Sequence, residues 1–220
     1  PNRRTERRPD IIETLVRDHG FLVRDVLDLS FHETEGSFLE GTGSLVLDRV
    51  HRVAYACLSP RTTLEALGDF AERLDYDVVT FDAVDRDGTP VYHTNVLMNV
   101  GEKTAVICAE AIPDNDQRAA MLARLCSTGH EVIEITMEQV NAFAGNMLEL
   151  RAASGNRVIA MSNQARNSLN NDQLAVLERV ATIVSAPIEH IESSAGGSVR
   201  CMLAEIHLPR EAPASAATTT

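Results

Sequence analysis

An α/β array of repeated strand–strand–helix–strand units is the fold class that the sequence predicts. The same order of short apolar runs and one amphipathic stretch recurs three times, at a period of about fifty residues. A polar residue stands at the entry of each unit, and the spacings along this series are 53, 53 and 55 residues: Glu40, His93, Asn146 and Cys201. If the units are related by rotation about an axis, these four positions converge there and form one central site.

The individual elements follow from periodicity and from turn residues. A helix is predicted at 9–19, with Pro9 in its first turn and Gly20 after its end, followed by a strand at 21–29. The predicted strands of the three units are 38–47, 53–58 and 76–81, then 91–100, 105–109 and 131–135, then 147–152, 157–162 and 187–191. The helices between them are 62–74, 114–125 with Asp114 as its cap, and 171–184. A last strand is predicted through Leu203, Ile206 and Leu208.

Composition indicates one folded domain. The chain has 220 residues, of which 44% are hydrophobic, and no linker rich in proline, glycine and serine divides it. We therefore predict a single domain at 1–210 and a disordered tail at 211–220, which is rich in alanine and threonine.

Net charge indicates the kind of partner, and cysteine usage indicates the redox compartment. A net charge of −12 disfavours nucleic acids and anionic membranes and mildly favours cationic or zwitterionic ligands. No apolar run of 18 residues and no signal peptide is present, so the prediction is a cytoplasmic protein. Cys57, Cys108 and Cys126 lie in apolar runs, where reduced core thiols are expected.

The central set has residue types suited to nucleophilic catalysis. Cys201, which follows Gly196 and Gly197 closely, would attack as a thiolate, and His93 would move protons. Glu40 only accepts hydrogen bonds and therefore suits an N–H pair. Each residue also has a structural interpretation: a buried cysteine, a core histidine, a solvated glutamate and, at Asn146, a turn residue.

No metal or organic cofactor is predicted. The remaining histidines show no paired ligand spacing, and none is assigned as a ligand: His19, His32, His51, His130, His190 and His207. No phosphate loop or dinucleotide-binding glycine motif occurs in the sequence.

Three motifs, in this order, carry a family resemblance. Residues 38–44 (FLEGTGS), 92–95 (YHTN) and 196–202 (GGSVRCM) resemble the guanidino-group-modifying enzymes of the pentein superfamily. The chain looks most like the citrulline utilisation hydrolases, also called citrulline ureidases. The resemblance implies a five-bladed α/β propeller of strand–strand–helix–strand modules. It also implies that this chain, which begins at Pro1, lacks N-terminal modules amounting to about a third of the propeller.

The resemblance also implies roles for single residues. Cys201 would be the nucleophile and His93 the general acid/base, while Glu40 would bind substrate nitrogens and orient His93. Arg61 would grip the substrate α-carboxylate or form a structural ion pair. The further candidates for substrate binding are Asn95, Asn146 and Arg200, with Arg4 and Arg8 as weaker alternatives to Arg61.

The substrate implied is a ureido or guanidino amino acid. Deiminases have an aspartate where this chain has Asn95, and the neutral amide suits a ureido group better than a guanidinium. The prediction is therefore hydrolysis of citrulline to ornithine through a covalent thio-intermediate, with arginine or methylarginine as other substrates. Amidino transfer to an amine and a non-catalytic binding role stay open as alternatives, and so does assembly into a homo-oligomer.

Overall fold

The computed structural model describes Thr5 and residues 7–210, which form two compact units. The first unit holds the described residues up to Asp28 and residues 205–210. Its helix α1 (Pro9–Arg17) has proline in the first turn, as predicted, and Gly20 follows its end with φ of +65°. Phe21 pairs with Arg210 in a single bridge, and the Arg210 guanidinium lies 4.3 Å from the centroid of the Phe21 ring.

The second unit, Leu29–Ala204, contains three modules, each built on a three-stranded sheet. The elements of the first module are α2 (Gly41–Ser44), β1 (Val46–Asp48), β2 (Val53–Cys57), α3 (Leu64–Leu74) and β3 (Asp77–Phe81). Those of the second are α4 (Thr94–Leu97), β4 (Met98–Val100), β5 (Thr104–Ile107), α5 (Asn115–Ser127) and β6 (Glu131–Glu134). After α6 (Met137–Asn141), the third has β7 (Leu148–Arg151), β8 (Arg157–Ser162), α7 (Asn163–Ser168), α8 (Asn171–Val180) and β9 (Thr182–Ala186). Helix α9 (Glu189–Ala195) and a 3-10 turn (Val199–Met202) follow, and further 3-10 turns are Ser30–Glu35 and Ala109–Ala111.

Each module has the same topology, which confirms the predicted α/β repeat. The first two strands of every sheet are antiparallel, and the second and third are parallel. A parallel pair needs a crossover connection, and a helix supplies it in each module. Asp114 accepts a hydrogen bond from the Gln117 amide at 2.8 Å, so it caps α5 as predicted.

The central strands are apolar because both faces are covered. All five residues of β2 are buried, with Tyr55 in the main core and Ala54 and Ala56 in a smaller cluster. The main core contains side chains from all three sheets, including Ile107 and Met161. A continuous apolar run is typical of a strand that is buried on both faces.

Several predicted elements are wrong, and tertiary pairing explains the difference. The stretch 21–29 is not a strand beyond the bridge at Phe21, and no strand forms over Leu203, Ile206 and Leu208. The strand predicted at 187–191 is instead the start of α9, while the helix predicted at 171–184 ends at Val180. Residues 182–186 continue the apolar pattern of α8. They form strand β9, which pairs with β8, and therefore do not extend the helix.

The strands predicted at 38–47 and 91–100 begin with a different structure. In each, a four-residue helical turn, α2 or α4, precedes a three-residue strand. The predicted tail, 211–220, lies outside the described residues. None of the described helices is long and apolar enough to cross a membrane. Cys57 and Cys108 are buried free thiols as predicted, but Cys126 is exposed, which corrects its prediction as a core residue.

Candidate active site

Glu40 and His93 form a hydrogen-bonded pair across the first two modules. The Nε2 atom of His93 lies 2.7 Å from the Oε2 atom of Glu40, and the His93 side chain is 12% exposed. Because a carboxylate only accepts hydrogen bonds, Nε2 carries a proton in this pair. The carboxylate therefore fixes both the orientation and the tautomer of the imidazole, as expected of a residue that supports an acid/base histidine.

The motif around Glu40 leaves room for that imidazole. A Cβ atom added at Gly43 would lie 2.7 to 2.9 Å from three atoms of the His93 ring, so only glycine lets the ring approach α2 this closely. Glu40 itself is positioned by its backbone N–H, which donates to Ser44 Oγ at 2.9 Å. Gly43 therefore has a packing function at the site.

Short helical turns at equivalent positions bring successive modules together. Thr94, the first residue of α4, is fully buried and donates from Oγ1 to the Ser44 carbonyl at 2.5 Å. The same Oγ1 accepts from the Cys57 amide at 2.8 Å. The residue after His93 thus anchors the second module to the first.

Asn146 connects the third module to this centre. Its Nδ2 atom donates to the Asn95 carbonyl at 3.1 Å, and the side chain is buried. The preceding Gly145 is required because an added Cβ would collide with the carbonyl oxygen of Val96. Asn146 is therefore held between the second module and the cysteine described next.

Cys201 lies on the 3-10 turn that follows α9. Its Sγ atom is 3.4 Å from Nδ2 and 3.5 Å from Oδ1 of Asn146, and the residue is exposed. Gly197 gives the thiol space, since an added Cβ would lie 3.1 Å from Sγ. The turn is joined to α9 by Ser198, whose Oγ donates to the buried carboxylate of Glu192 at 2.6 Å.

Two buried thiols, Cys57 and Cys108, differ from a nucleophile in their environment. Burial raises the pKa of Cys57 to about 12 and that of Cys108 to about 11. Because the thiolate is the reactive form, these two thiols are inert at neutral pH. Cys201, in contrast, is exposed, and its thiol lies beside the Asn146 amide and Gly197.

One cavity of about 180 Å³ joins the predicted site residues. His93, Asn95, Asn146, Cys201 and the glycine pair before the cysteine all line it. Sequence reasoning missed the other residues that line it, which come from α6, the turn after it, α4 and the residue before His93: Val140, Asn141, Phe143, Val96 and Tyr92. The positive φ of Phe143, +65°, has no signal in the sequence. The segment 141–146 did have one, because it leads into the predicted site residue Asn146.

Two predicted substrate-binding residues do not line the cavity. The Arg61 guanidinium lies 3.6 Å from the Glu40 carboxylate and 4.9 Å from the centroid of the Tyr92 ring, which matches the structural ion pair. Arg200 is buried, 7% exposed, and is not one of the residues that line the cavity. Arg8 pairs with Asp10 in the first unit, and Arg4 lies outside the described residues.

Glu40 also lies outside the lining of the cavity and reaches it through His93. Its carboxylate is thus committed to two cationic or donor side chains, His93 and Arg61. The orienting role implied by the resemblance fits this placement, and direct contact of Glu40 with substrate nitrogens stays a prediction.

Repeated strand–strand–helix–strand modules around a shared cavity, lined by His93, Asn146 and Cys201, define the class: the pentein-superfamily guanidino-modifying enzymes. The family model described as N,N dimethylarginine dimethylhydrolase, eukaryotic, matches residues 1–208. The chain belongs to this family. Hydrolysis of C–N bonds is the activity for which the family is named.

Solved structures share the fold at low sequence identity. The apo structure of ArgZ, an arginine dihydrolase from the ornithine-ammonia cycle in cyanobacteria, is 18% identical with a TM-score of 0.62, and the match covers 88% of this chain and 27% of ArgZ. The product-bound N-terminal domain of ArgZ is 19% identical with a TM-score of 0.61, over 88% of this chain and 63% of that domain. AgrE, bound to ornithine and NAD+, is 19% identical with a TM-score of 0.61, over 79% of this chain and 23% of AgrE. No curated protein sequence matches the chain.

Proposed function

We propose that this chain is the catalytic part of a cysteine-dependent hydrolase that cleaves a C–N bond in the ureido or guanidino group of an amino acid. The observation that carries the proposal is the single cavity shared by the Cys201 thiol and by the His93 imidazole that Glu40 holds. A nucleophile and an acid/base group that face one cavity, with the base oriented by a third group, have the arrangement used in covalent catalysis.

The reaction proceeds in two steps. The Cys201 thiolate attacks the central carbon, a C–S bond forms, and the C–N bond breaks as the amine leaves with a proton from His93. His93 then takes a proton from water, the hydroxide attacks the same carbon, and the C–S bond breaks to regenerate the thiolate. From citrulline the leaving amine is ornithine, and the carbamate released breaks down to ammonia and carbon dioxide.

The lining of the cavity favours a neutral ureido group. Among the described residues that line it, the polar side chains near Cys201 are amides and His93, and none is a carboxylate. A guanidinium would need a carboxylate partner, since an unpaired buried cation is costly. Asn95, Asn141 and Asn146 can both donate and accept, which matches a ureido N–H and carbonyl. Citrulline is therefore the first candidate substrate.

A methylated guanidino group is the second candidate. The family is named for dimethylarginine hydrolysis, and the solved relatives include an arginine dihydrolase. The chain spans 23% to 63% of the length of the solved relatives reported above. An acidic residue in the substrate pocket of the whole protein would shift the preference from citrulline to arginine or dimethylarginine.

The experiment compares citrulline, arginine and dimethylarginine as substrates of the whole protein that carries this chain. Release of ornithine and ammonia from citrulline is expected, with Cys201→Ala reducing the rate by at least about 1,000-fold. The exposed thiol Cys126, which lies in α5, provides a matched control, and Cys126→Ala should leave the rate unchanged.

Each outcome of this comparison decides something. Hydrolysis that survives Cys201→Ala refutes the covalent mechanism. Turnover of dimethylarginine with no turnover of citrulline supports the mechanism and overturns the substrate assignment. Product that appears only when an amine acceptor is added identifies a transferase, and substrate binding without any turnover identifies a binding protein.

A further inference from the structure

Three possible metal ligands converge where the first module meets the second. Atoms of Asp48, His51 and His130, one from each residue, all lie within 4.8 Å of one another. Asp48 is the last residue of β1, His51 lies in the turn that follows, and His130 immediately precedes β6. The spacing of these histidines in the sequence did not indicate a site, because the fold brings His130 to the other two from a different module.

The distances match the size of a small metal site. The Asp48 Oδ2 atom lies 2.8 Å from His51 Nδ1 and 3.8 Å from His130 Nε2. Ligands about 2.0–2.1 Å from a tetrahedral zinc ion are separated from one another by about 3.4 Å. Shifts of roughly half an ångström at the Asp48 oxygen would bring its distances to both histidine nitrogens to that value. The third separation, between His51 and His130, is at most 4.8 Å.

The hydrogen bonds of Thr128 allow a His130 ring that carries its proton on Nδ1. The Thr128 hydroxyl lies within hydrogen-bonding distance of two carbonyls of α5, those of Arg124 and Leu125, at 3.2 and 3.0 Å, and 2.9 Å from His130 Nδ1. When its one proton goes to a helix carbonyl, its oxygen must accept from Nδ1–H. A second-shell oxygen that accepts from one ring nitrogen leaves the other nitrogen as the metal ligand.

In that state the other nitrogen faces only acceptors. His130 Nε2 lies 3.1 Å from the Gly101 carbonyl oxygen and 3.8 Å from Asp48 Oδ2, and the side chains of Asp48 and His130 are 3% and 2% exposed. A bare nitrogen and two oxygens repel one another in a buried position. A cation at this point removes the repulsion, and the candidates are a proton or a metal ion.

We propose that Asp48, His51 and His130 bind one divalent first-row transition-metal ion of the zinc type, which joins the first module to the second. Two imidazoles and one carboxylate are ligands that suit zinc and its neighbours better than magnesium or calcium. The His51 side chain is 40% exposed, so the ion can enter from solvent and water can take the fourth position. The site is independent of the hydrolase activity proposed above.

The test is zinc binding to the chain, with Cys126→Ser and Cys201→Ala as the background that removes its exposed thiols. Competition against a colorimetric zinc chelator should show one ion per chain. His51→Gln should weaken binding by at least about 100-fold, more than loss of a supporting residue does. His190→Gln, at an exposed histidine on α9, is the matched control and should bind as the background does.

A second measurement separates a metal from a proton. Zinc should raise the thermal unfolding midpoint of the background protein and leave that of His51→Gln unchanged, since binding to the folded state alone stabilises it. Magnesium at the same concentration should have no effect. A stability that responds to pH but not to zinc identifies a proton as the cation. That result overturns the proposal, as would no stoichiometric binding or equal binding by His51→Gln.

Discussion

A contact between two atoms, Glu40 Oε2 and His93 Nε2, fixes the orientation and tautomer of His93, the proposed acid/base residue. Glu40 reaches the cavity through His93. Its carboxylate lies 2.7 Å from the His93 imidazole and 3.6 Å from the Arg61 guanidinium. The 53-residue spacing predicted that Glu40 and His93 would meet, but it did not predict which of them would face the substrate. Which of the two side chains faces the cavity depends on where the fold places each of them.

Glu40→Gln should lower kcat by about 100-fold while changing KM by less than about 3-fold, because the amide loses the charge that stabilises a protonated His93 in the transition state. Steady-state kinetics across pH on citrulline, the proposed substrate, measures both constants. Glu65→Gln, at an exposed position of α3, is the matched control and should leave both unchanged. A large rise in KM with kcat preserved would contradict the orienting role and place Glu40 on the substrate.

Gly43→Ala should displace the His93 ring, because the new methyl group would lie within 2.9 Å of it. We expect at least about a 10-fold loss of kcat with a folded protein, measured together with circular dichroism. Gly68→Ala is the control: no atom lies within 4 Å of the added Cβ, and the residue is in the middle of α3. That change should leave kcat unchanged and stabilise the helix by up to about 1 kcal/mol. Full activity in Gly43→Ala would show that the ring tolerates a shift.

Individual elements show where local pattern and tertiary context disagree. The apolar spacing of α8 continues to Val184, yet the chain leaves the helix at Val180 and joins β8 as β9. Conversely, α2 and α4 occur in stretches whose apolar alternation predicts strands. A four-residue turn carries too few residues for a periodicity, so packing between modules decides its conformation.

Strands β2 and β5 lead into buried thiols that make stability depend on alkaline pH. Burial raises the pKa of Cys57 to about 12, above the value of about 8.5 for a thiol in an unfolded chain. The thiol therefore contributes its full stability below about pH 8.5, and the contribution is lost as pH rises towards 12 because only the unfolded chain ionises. The free energy of unfolding should fall by up to about 1.4 kcal/mol per pH unit in that range.

Denaturant titrations between pH 8 and pH 11 measure this slope. Cys57→Ala should be less stable at pH 8 because it leaves a cavity, but its slope should be shallower than that of the unchanged protein. Cys126→Ala, at an exposed thiol, should keep the original slope. An identical slope in Cys57→Ala would contradict the assignment of this pH dependence to the buried thiol.

At the scale of the whole second unit, the modules are held together at the centre by polar contacts as well as by the core. Thr94 connects the Ser44 carbonyl and the Cys57 amide, and Asn146 connects the Asn95 carbonyl and the Cys201 thiol. The residues that build the site therefore also join successive modules. Stability and site geometry depend on the same buried groups.

Thr94→Val, which keeps the shape and removes the hydroxyl, should reduce the free energy of unfolding by about 2 kcal/mol, because it leaves a buried amide and a buried carbonyl unpaired. Urea unfolding followed by circular dichroism measures this loss. Thr80→Val, at an exposed position in β3, should change stability by less than about 0.5 kcal/mol. Equal effects of the two substitutions would show that the contact between modules adds nothing.

The repeat and the four central residues were readable from the sequence because these residues recur at a nearly constant spacing along it. The period of the repeat and the residue types therefore predicted the strand–strand–helix–strand order and the convergence of Glu40, His93, Asn146 and Cys201. Only the tertiary structure decided the rest: Glu40 behind His93, Arg61 in an ion pair, the wall from α6, and the meeting of Asp48 and His51 with His130. Those arrangements depend on how far each side chain reaches across a boundary between modules, and a linear pattern contains no distance of that kind.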